Sequence, residues 1–448
     1  MRLSLSLLLA LSASAADFIV QTPGDGTTIA TSSIQKTIDT AAAAHGTVVF
    51  KPGVYLTGGL FLKSGITFRV DEGVELRGVQ DTAAYPIMQT RVAGIEMKWP
   101  SALLNVYEQS DVKITGKGVI DGDGKKWWDL YWKMRREEYE PKGLRWAVDY
   151  DCQRPRLIQI YKSTNVSLEG LTLKRSGFWT VHICYSKTVA VDGITIRNNT
   201  QDRGPSTDGI DIDSSSGVRV QHCDIDCNDD AICLKAGRDA DGLRVNRPSE
   251  DIDITDNTVR GGAAGVTFGS ETSGGIHGVR IDNLTVLKGV PSAVLFKSAA
   301  TRGGTIENIR ISHVIATDVP TPISITMNWN PAYSYATAPT GNLPVGMKVA
   351  PDYWQTLLSP VAPEKGIPHF RDIQISDLKA TGARQAFAVS SHADSPLQQF
   401  LLKNIDIEAR SAGTIQNADG WVFSNVHVVA ADGGKVVLKD SKNVTGLQ

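Results

Sequence analysis

Residues 166–173 read Val166-Ser167-Leu168-Glu169-Gly170-Leu171-Thr172-Leu173, and residues 189–196 read Val189-Ala190-Val191-Asp192-Gly193-Ile194-Thr195-Ile196. Both carry apolar residues at relative positions 0, 2, 5 and 7, with an acidic residue and a glycine between the pairs. Alternation by two puts positions 0 and 2 on one face of a strand. The odd step to position 5 needs a one-residue correction, such as a bend. Positions 5 and 7 then face the same interior. Two short strands joined by a corner make part of one coil.

The pattern recurs to the end of the chain. Val218, Val220, Cys223 and Ile225 form the next copy, and Ile252, Ile254, Asn257 and Val259 one with a polar substitution. Copies at Val279, Ile281, Leu284, Val286 and at Ile309, Ile311, Val314, Ala316 follow, and later ones start at Ile373, Phe400 and Trp421. The successive starts are 23, 29, 34, 27, 30, 64, 27 and 21 residues apart, mostly within the range of repeat architectures. Stacked coils would bury the apolar faces and pair each strand with its neighbours above and below. The expectation is an all-β, single-stranded parallel β-helix. A β/α fold would need amphipathic helices between strands, and a β-sandwich shorter, more even spacing with hairpins. At 448 residues the chain is long for one compact domain. A solenoid escapes that limit, so residues 16–448 are read as one catalytic domain. Residues 28–44 are helix-compatible, within an N-terminal cap expected over about 17–50, where an open sheet edge needs covering.

Two stretches interrupt the ladder: Trp127 to Tyr150, and Met327 to His369. Loops this long are usually functional. They hold Trp127, Trp128, Tyr131, Trp132, Trp329, Tyr333, Tyr335 and Trp354, whose rings either face sugars or pack on the solenoid wall.

The first residues combine Arg2, an apolar run from Leu3 to Leu11 and Ala13-Ser14-Ala15. This is the pattern of a signal peptide over residues 1–15, and it predicts a secreted or periplasmic protein. Without Arg2 the chain keeps 45 basic against 48 acidic side chains, which leaves no electrostatic footprint for nucleic acid. No later apolar run is long enough to span a membrane. The five cysteines, Cys152, Cys184, Cys223, Cys227 and Cys233, do not make a disulfide scaffold. Cys223 and Cys227 either pair or fill the interior. A monomer without metal or cofactor is expected.

Chemistry concentrates in Ser206-Thr207-Asp208-Gly209-Ile210-Asp211 and Asn228-Asp229-Asp230-Ala231-Ile232-Cys233-Leu234-Lys235. Asp208 and Asp229 are 21 residues apart, about one coil. Asp208, Asp229 and Asp230 should therefore meet on one wall at the inter-strand spacing of roughly 4.8 Å. Three such carboxylates cannot all ionise without cost, so an acid and a base can coexist at one pH. Clustered carboxylates also serve calcium sites.

At these residues the chain resembles family 28 of the glycoside hydrolases, the polygalacturonase-like pectin hydrolases, as a divergent bacterial-type member. That family carries Asn-Thr-Asp, Asp-Asp, Gly-His-Gly and Arg-x-Lys in order along a right-handed parallel β-helix. The likeness runs from about Val112, through Gly118-Val119-Ile120-Asp121-Gly122-Asp123-Gly124, to the C-terminus. It implies metal-free inverting hydrolysis, with Asp229 as general acid and Asp208 and Asp230 activating water. Stacked coils alone would favour the closer carboxylate spacing of retaining enzymes.

The departures bear on specificity. Serine replaces the family asparagine at Ser206. The family histidine position falls on Ala264, and His182 is the candidate substitute. Arg-x-Lys reads Leu295-Phe296-Lys297, so the substrate-binding lysine remains but the arginine fork is lost. Arg238, Arg244, Arg247 and Arg302 are candidate replacements, and Trp329 a sugar platform. The expected substrate is a pectic oligo- or polysaccharide, cleaved from an end at galacturonosyl linkages of polygalacturonan or rhamnogalacturonan. A rhamnose-directed hydrolase, a β-helical lyase and a non-catalytic carbohydrate-binding solenoid are the alternatives.

Overall fold

A computed structural model describes residues 16–200 and 202–447. The leader expected over residues 1–15 lies outside them.

The ladder forms in the register that the repeat implies. Val166 pairs with Val189, Val189 with Val218, Val218 with Ile252, Ile252 with Val279, Val279 with Ile309, Ile309 with Ile373 and Ile373 with Phe400, all in parallel. Each of these side chains is buried in one continuous apolar core. Since Ile309 meets Ile373 directly, the 64-residue gap is a single coil carrying a long insertion. The polar substitution at Asn257 is also explained. Its side chain accepts from Cys223 N at 2.9 Å and donates to Val220 O at 3.0 Å, replacing corner hydrogen bonds with its own.

The right-handed β-helix extends further upstream than the repeat indicated. Val112 pairs with Val166, and Lys113 with Thr67. Ile114 aligns with Leu168 but Ile120 with Leu173, so this corner holds one more residue than the repeat allows. At the N-terminal end a helix over Thr31–Ala42 buries Ile34, Ile38 and Ala41. The Gln35 side chain donates to Phe61 O and accepts from Phe61 N, both at 2.9 Å, pairing backbone that the first coil would leave open. The five cysteines are buried and free, and Cys223 and Cys227 are not paired.

One wall of the solenoid carries the site. It stacks Leu104–Tyr107, Ile158–Tyr161, Val181–Cys184, Ile210–Asp213, Ile232–Lys235, Val266–Phe268, Ser292–Lys297 and Thr321–Thr326. Apart from Leu295, the isoleucine, valine, leucine and phenylalanine side chains of these strands point inward. Gln159, His182, Asp211, Cys233, Thr267 and Leu295 form one outward row. The outer face is nevertheless buried, because three insertions fold over it.

The first insertion is a hairpin, Ile87–Val92 and Ile95–Pro100, whose two-residue turn Ala93-Gly94 has positive φ at both positions, as a primed turn requires. The second contains a helix over Lys125–Lys133 and a turn over Val148–Asp151. The third contains short helices over Pro331–Ser334, Asp352–Leu358 and Pro363–Gly366. Together they build a second apolar core that includes Trp99, Tyr131, Trp146, Tyr150, Phe178 and Trp354. Half of the eight loop aromatics are therefore packing residues. Trp127, Trp128, Tyr131 and Trp354 are at most 2% exposed, too buried to stack on a sugar.

Candidate active site

Asp208 and Asp230 each stand two residues before a strand of this wall, Ile210–Asp213 and Ile232–Lys235. Gly209 N donates to Asp230 O at 2.9 Å, which seats one corner on the next. The approach is so close that a Cβ on Gly209 would lie 2.3 Å from Ala231 O, so only glycine fits. The in-register partner of Asp208 is thus Asp230, and their carboxylate oxygens lie within 4.8 Å of each other. Asp229 is one residue earlier, off the stack and partly open to the pocket. Ala264, the position of the expected histidine, is the next residue in the stack: Ala231 N donates to its carbonyl at 3.1 Å.

Charge separates the three carboxyls. Burial, and then the neighbouring Asp230, push Asp229 above the ordinary carboxylate range, which favours its protonated form. Burial would raise Asp230 too, but Lys297 and Lys235 outweigh it and hold Asp230 low and ionised. Lys297 Nζ donates to Asp230 Oδ2 at 2.7 Å, and Thr267 Oγ1 donates to its other oxygen at 2.9 Å. Burial, Asp211 and Asp229 push Asp208 well up. Burial raises Asp211 to about 7 against the pull of Lys235. Asp208 and Asp211 form one coupled system around Lys235, whose Nζ is 3.5 Å from Asp208 Oδ2 and 3.4 Å from Asp211 Oδ1.

The three carboxyls open into one pocket with a cavity volume of about 120 Å³. Lys235, Lys297, Glu271, Ser270 and Trp179 line it from the solenoid. Ala93 comes from the hairpin, Arg145 and Asp149 from the second insertion, and Trp329, Asn330 and Tyr333 from the third. The Lys297 ammonium also lies 4.5 Å from the Trp329 ring centroid.

Three expected ligands of the substrate lie behind this wall. His182 is fully buried, edge-on to Trp179 with centroids 4.9 Å apart and 3.4 Å from Asp213 Oδ2. Burial, and then Arg156, push its pKa down to about 4, so it is neutral. Arg238 is fully buried and donates to Tyr150 Oη at 2.8 Å and to Tyr333 O at 2.8 Å. Arg302 is fully buried against Asp239 and Ser270 O. Both arginines tie the third insertion to the solenoid. With Lys235, they hold Glu271 down to about 2 in spite of its burial. Of the remaining candidates, Arg244 pairs with Glu96 and Asp241, and Arg247 donates to Tyr185 O. Leu295, at the family arginine position, is buried in register with Thr267 and Ser324.

Lys235, Asp211, Glu271, Trp179, Arg145 and Asp149 were not identified as site residues from the sequence. Lys235 and Asp211 stood inside the two quoted motifs, and alternation with the inward Ile210, Ile212, Ile232 and Leu234 would have put both on the outward face. Nothing local marks Arg145 or Asp149, since the fold of an insertion decides where they point.

Among the described residues, two clusters have donors suited to a cation: Asp208, Asp230 and Cys233, and His182, Cys184 and Asp213. In both, a side-chain cation already neutralises the carboxylate. Lys297 pairs with Asp230, and Arg91 with Asp213 at 3.0 Å.

The sequence pattern of "Glycosyl hydrolases family 28" matches residues 55–350, beginning upstream of Val112 and ending before the C-terminus. A "Probable polygalacturonase" of Vitis vinifera is 30% identical over 64% of this chain, and the match spans 57% of that protein. An "Endo-polygalacturonase" of Pectobacterium carotovorum is 29% identical over 66% of this chain and 71% of its own length. Among solved structures, an exopolygalacturonase from Thermotoga maritima superposes with a TM-score of 0.72 at 26% identity, over 95% of this chain and 92% of that one.

Proposed function

This chain belongs to family 28 of the glycosyl hydrolases, and from that membership we propose that it hydrolyses galacturonosyl linkages of pectic polysaccharide, releasing residues from a chain end with inversion. The observation that carries the hydrolytic reading is the split within one triad: Lys297 bonds Asp230 at 2.7 Å and holds it low, while burial and Asp230 push the adjacent Asp229 up. Asp229 donates its proton to the glycosidic oxygen as the bond breaks. Asp230, held ionised by Lys297, takes the proton of the attacking water. Asp208, stacked on Asp230 and coupled to Asp211, orients that water. The closely spaced pair, Asp208 and Asp230, is on this reading the two groups that share a water. Lys235 and Lys297 attract a uronate substrate to the site. Family membership speaks against the lyase and the non-catalytic solenoid. Export to the periplasm or medium, and action as a monomer, belong to the same proposal.

Exo-action is supported by the insertions. Ala93, Arg145, Trp329, Asn330 and Tyr333 wall a pocket, where attack within a polymer needs an open groove. The test is incubation with polygalacturonate, sizing products while following viscosity. The expected result is free galacturonic acid from the first time points with slow loss of viscosity. Early oligomers and a rapid fall would overturn exo-action. Product NMR that found retained anomeric configuration would overturn inversion. Leu295 favours one second reading, a rhamnose-directed hydrolase, because a neutral sugar needs no arginine fork at that position. Cleavage of an aryl rhamnoside in place of galacturonan would establish it.

A further inference from the structure

Resting on the galacturonan reading above, we propose that Arg145, delivered by the second insertion, grips the carboxylate of the uronate ring in the pocket. Its guanidinium lines the pocket and is only 15% exposed. Nη1 donates to Asp149 Oδ2 at 2.6 Å, which fixes the side chain. The buried Nε has no hydrogen-bond partner. A buried, unpaired donor on a cation is costly unless a ligand completes it. The guanidinium also sits 5.2 Å from the Tyr333 ring centroid, so the third insertion helps hold it.

The alternatives along the pocket are committed. Lys297 is bonded to Asp230, and Lys235 is shared among Asp208, Asp211 and Glu271. Arg145 spends one nitrogen on Asp149 and keeps the rest of its fork, the geometry that suits a carboxylate.

Ser206 connects this arginine to the catalytic corner. Its Oγ donates to Asp149 Oδ1 at 2.9 Å, and Asp149 is further paired with Arg154 at 3.5 Å. The two departures at Ser206 and Leu295 then belong together. The solenoid wall lost its fork at Leu295, while Ser206 meets the carboxylate that aims a different fork from above.

The test measures kcat/KM for trigalacturonate and for its fully methyl-esterified form. Arg145→Ala should lower the value for the acid about 100-fold and change that for the ester less than about threefold, because only the acid loses a charge-assisted pair. Arg145→Lys should fall between, keeping the charge without the fork. If Arg145→Ala slows both substrates alike, Arg145 is a structural residue and this assignment falls while the galacturonan reading stands. If the wild type cleaves neither form but cleaves a neutral glycoside, the galacturonan reading itself falls, and the assignment with it.

Discussion

At the scale of single residues, the site works by giving chemically identical side chains different environments. Asp229 and Asp230 are adjacent in the chain, yet the first is pushed above the ordinary carboxylate range and the second held below it. The difference is Lys297, 2.7 Å from Asp230. Lys297→Met should therefore let burial raise Asp230. A base must be ionised to act, so a raised pKa moves the acid limb of the kcat/KM profile to higher pH, by about one to three units. The limb set by the protonated Asp229 should move much less. A pH profile that merely scaled down, with both limbs fixed, would mean that Lys297 serves binding alone. The coupled pair Asp208 and Asp211 also bears on stability. Both take up protons more readily folded than unfolded, so their contribution is fully present below the unfolded carboxylate range and is lost as pH rises toward about 7.

At the scale of elements, the insertions convert an open solenoid wall into a pocket. Their own core holds them there: Trp146 of the second meets Trp354 of the third edge-on, with centroids 4.9 Å apart. Neither ring lines the pocket, so they act on catalysis only through position. Trp354→Ala should leave the solenoid intact by far-UV circular dichroism and remove about 3–5 kcal/mol from the second core. With the third insertion loosened, Trp329 and Tyr333 should lose their fixed places. KM should rise more than kcat falls, and products should lengthen from monomer to short oligomers. An unchanged product pattern would show that the walls close the pocket without this contact.

At the scale of the whole molecule, the solenoid is nearly one-dimensional: each coil touches only its neighbours, so stability is local. Ile38→Ala, at a fully buried position of the cap helix, should cost about 2–5 kcal/mol and lower the urea midpoint. It should leave kcat unchanged at ambient temperature, since the cleft coils are several repeats away. The ladder from Val166 onward was legible because burial of a period-two strand imposes its own pattern on each coil. Asp208, Asp229 and Asp230 were legible because coil length brings residues about 21 apart together. Upstream, the corners are longer, six residues from Ile114 to Ile120 and eight from Phe68 to Leu76, which hid the earlier coils. The sequence by itself determined the β-helix, its register and the meeting of the three carboxyls, because parallel stacking converts linear spacing directly into proximity. Only the tertiary structure decided which arginines face the pocket. Arg238 and Arg302 turned inward to bind insertions, while Arg145 turned toward the carboxyls. Insertions fold against distant segments under packing constraints that no local periodicity records.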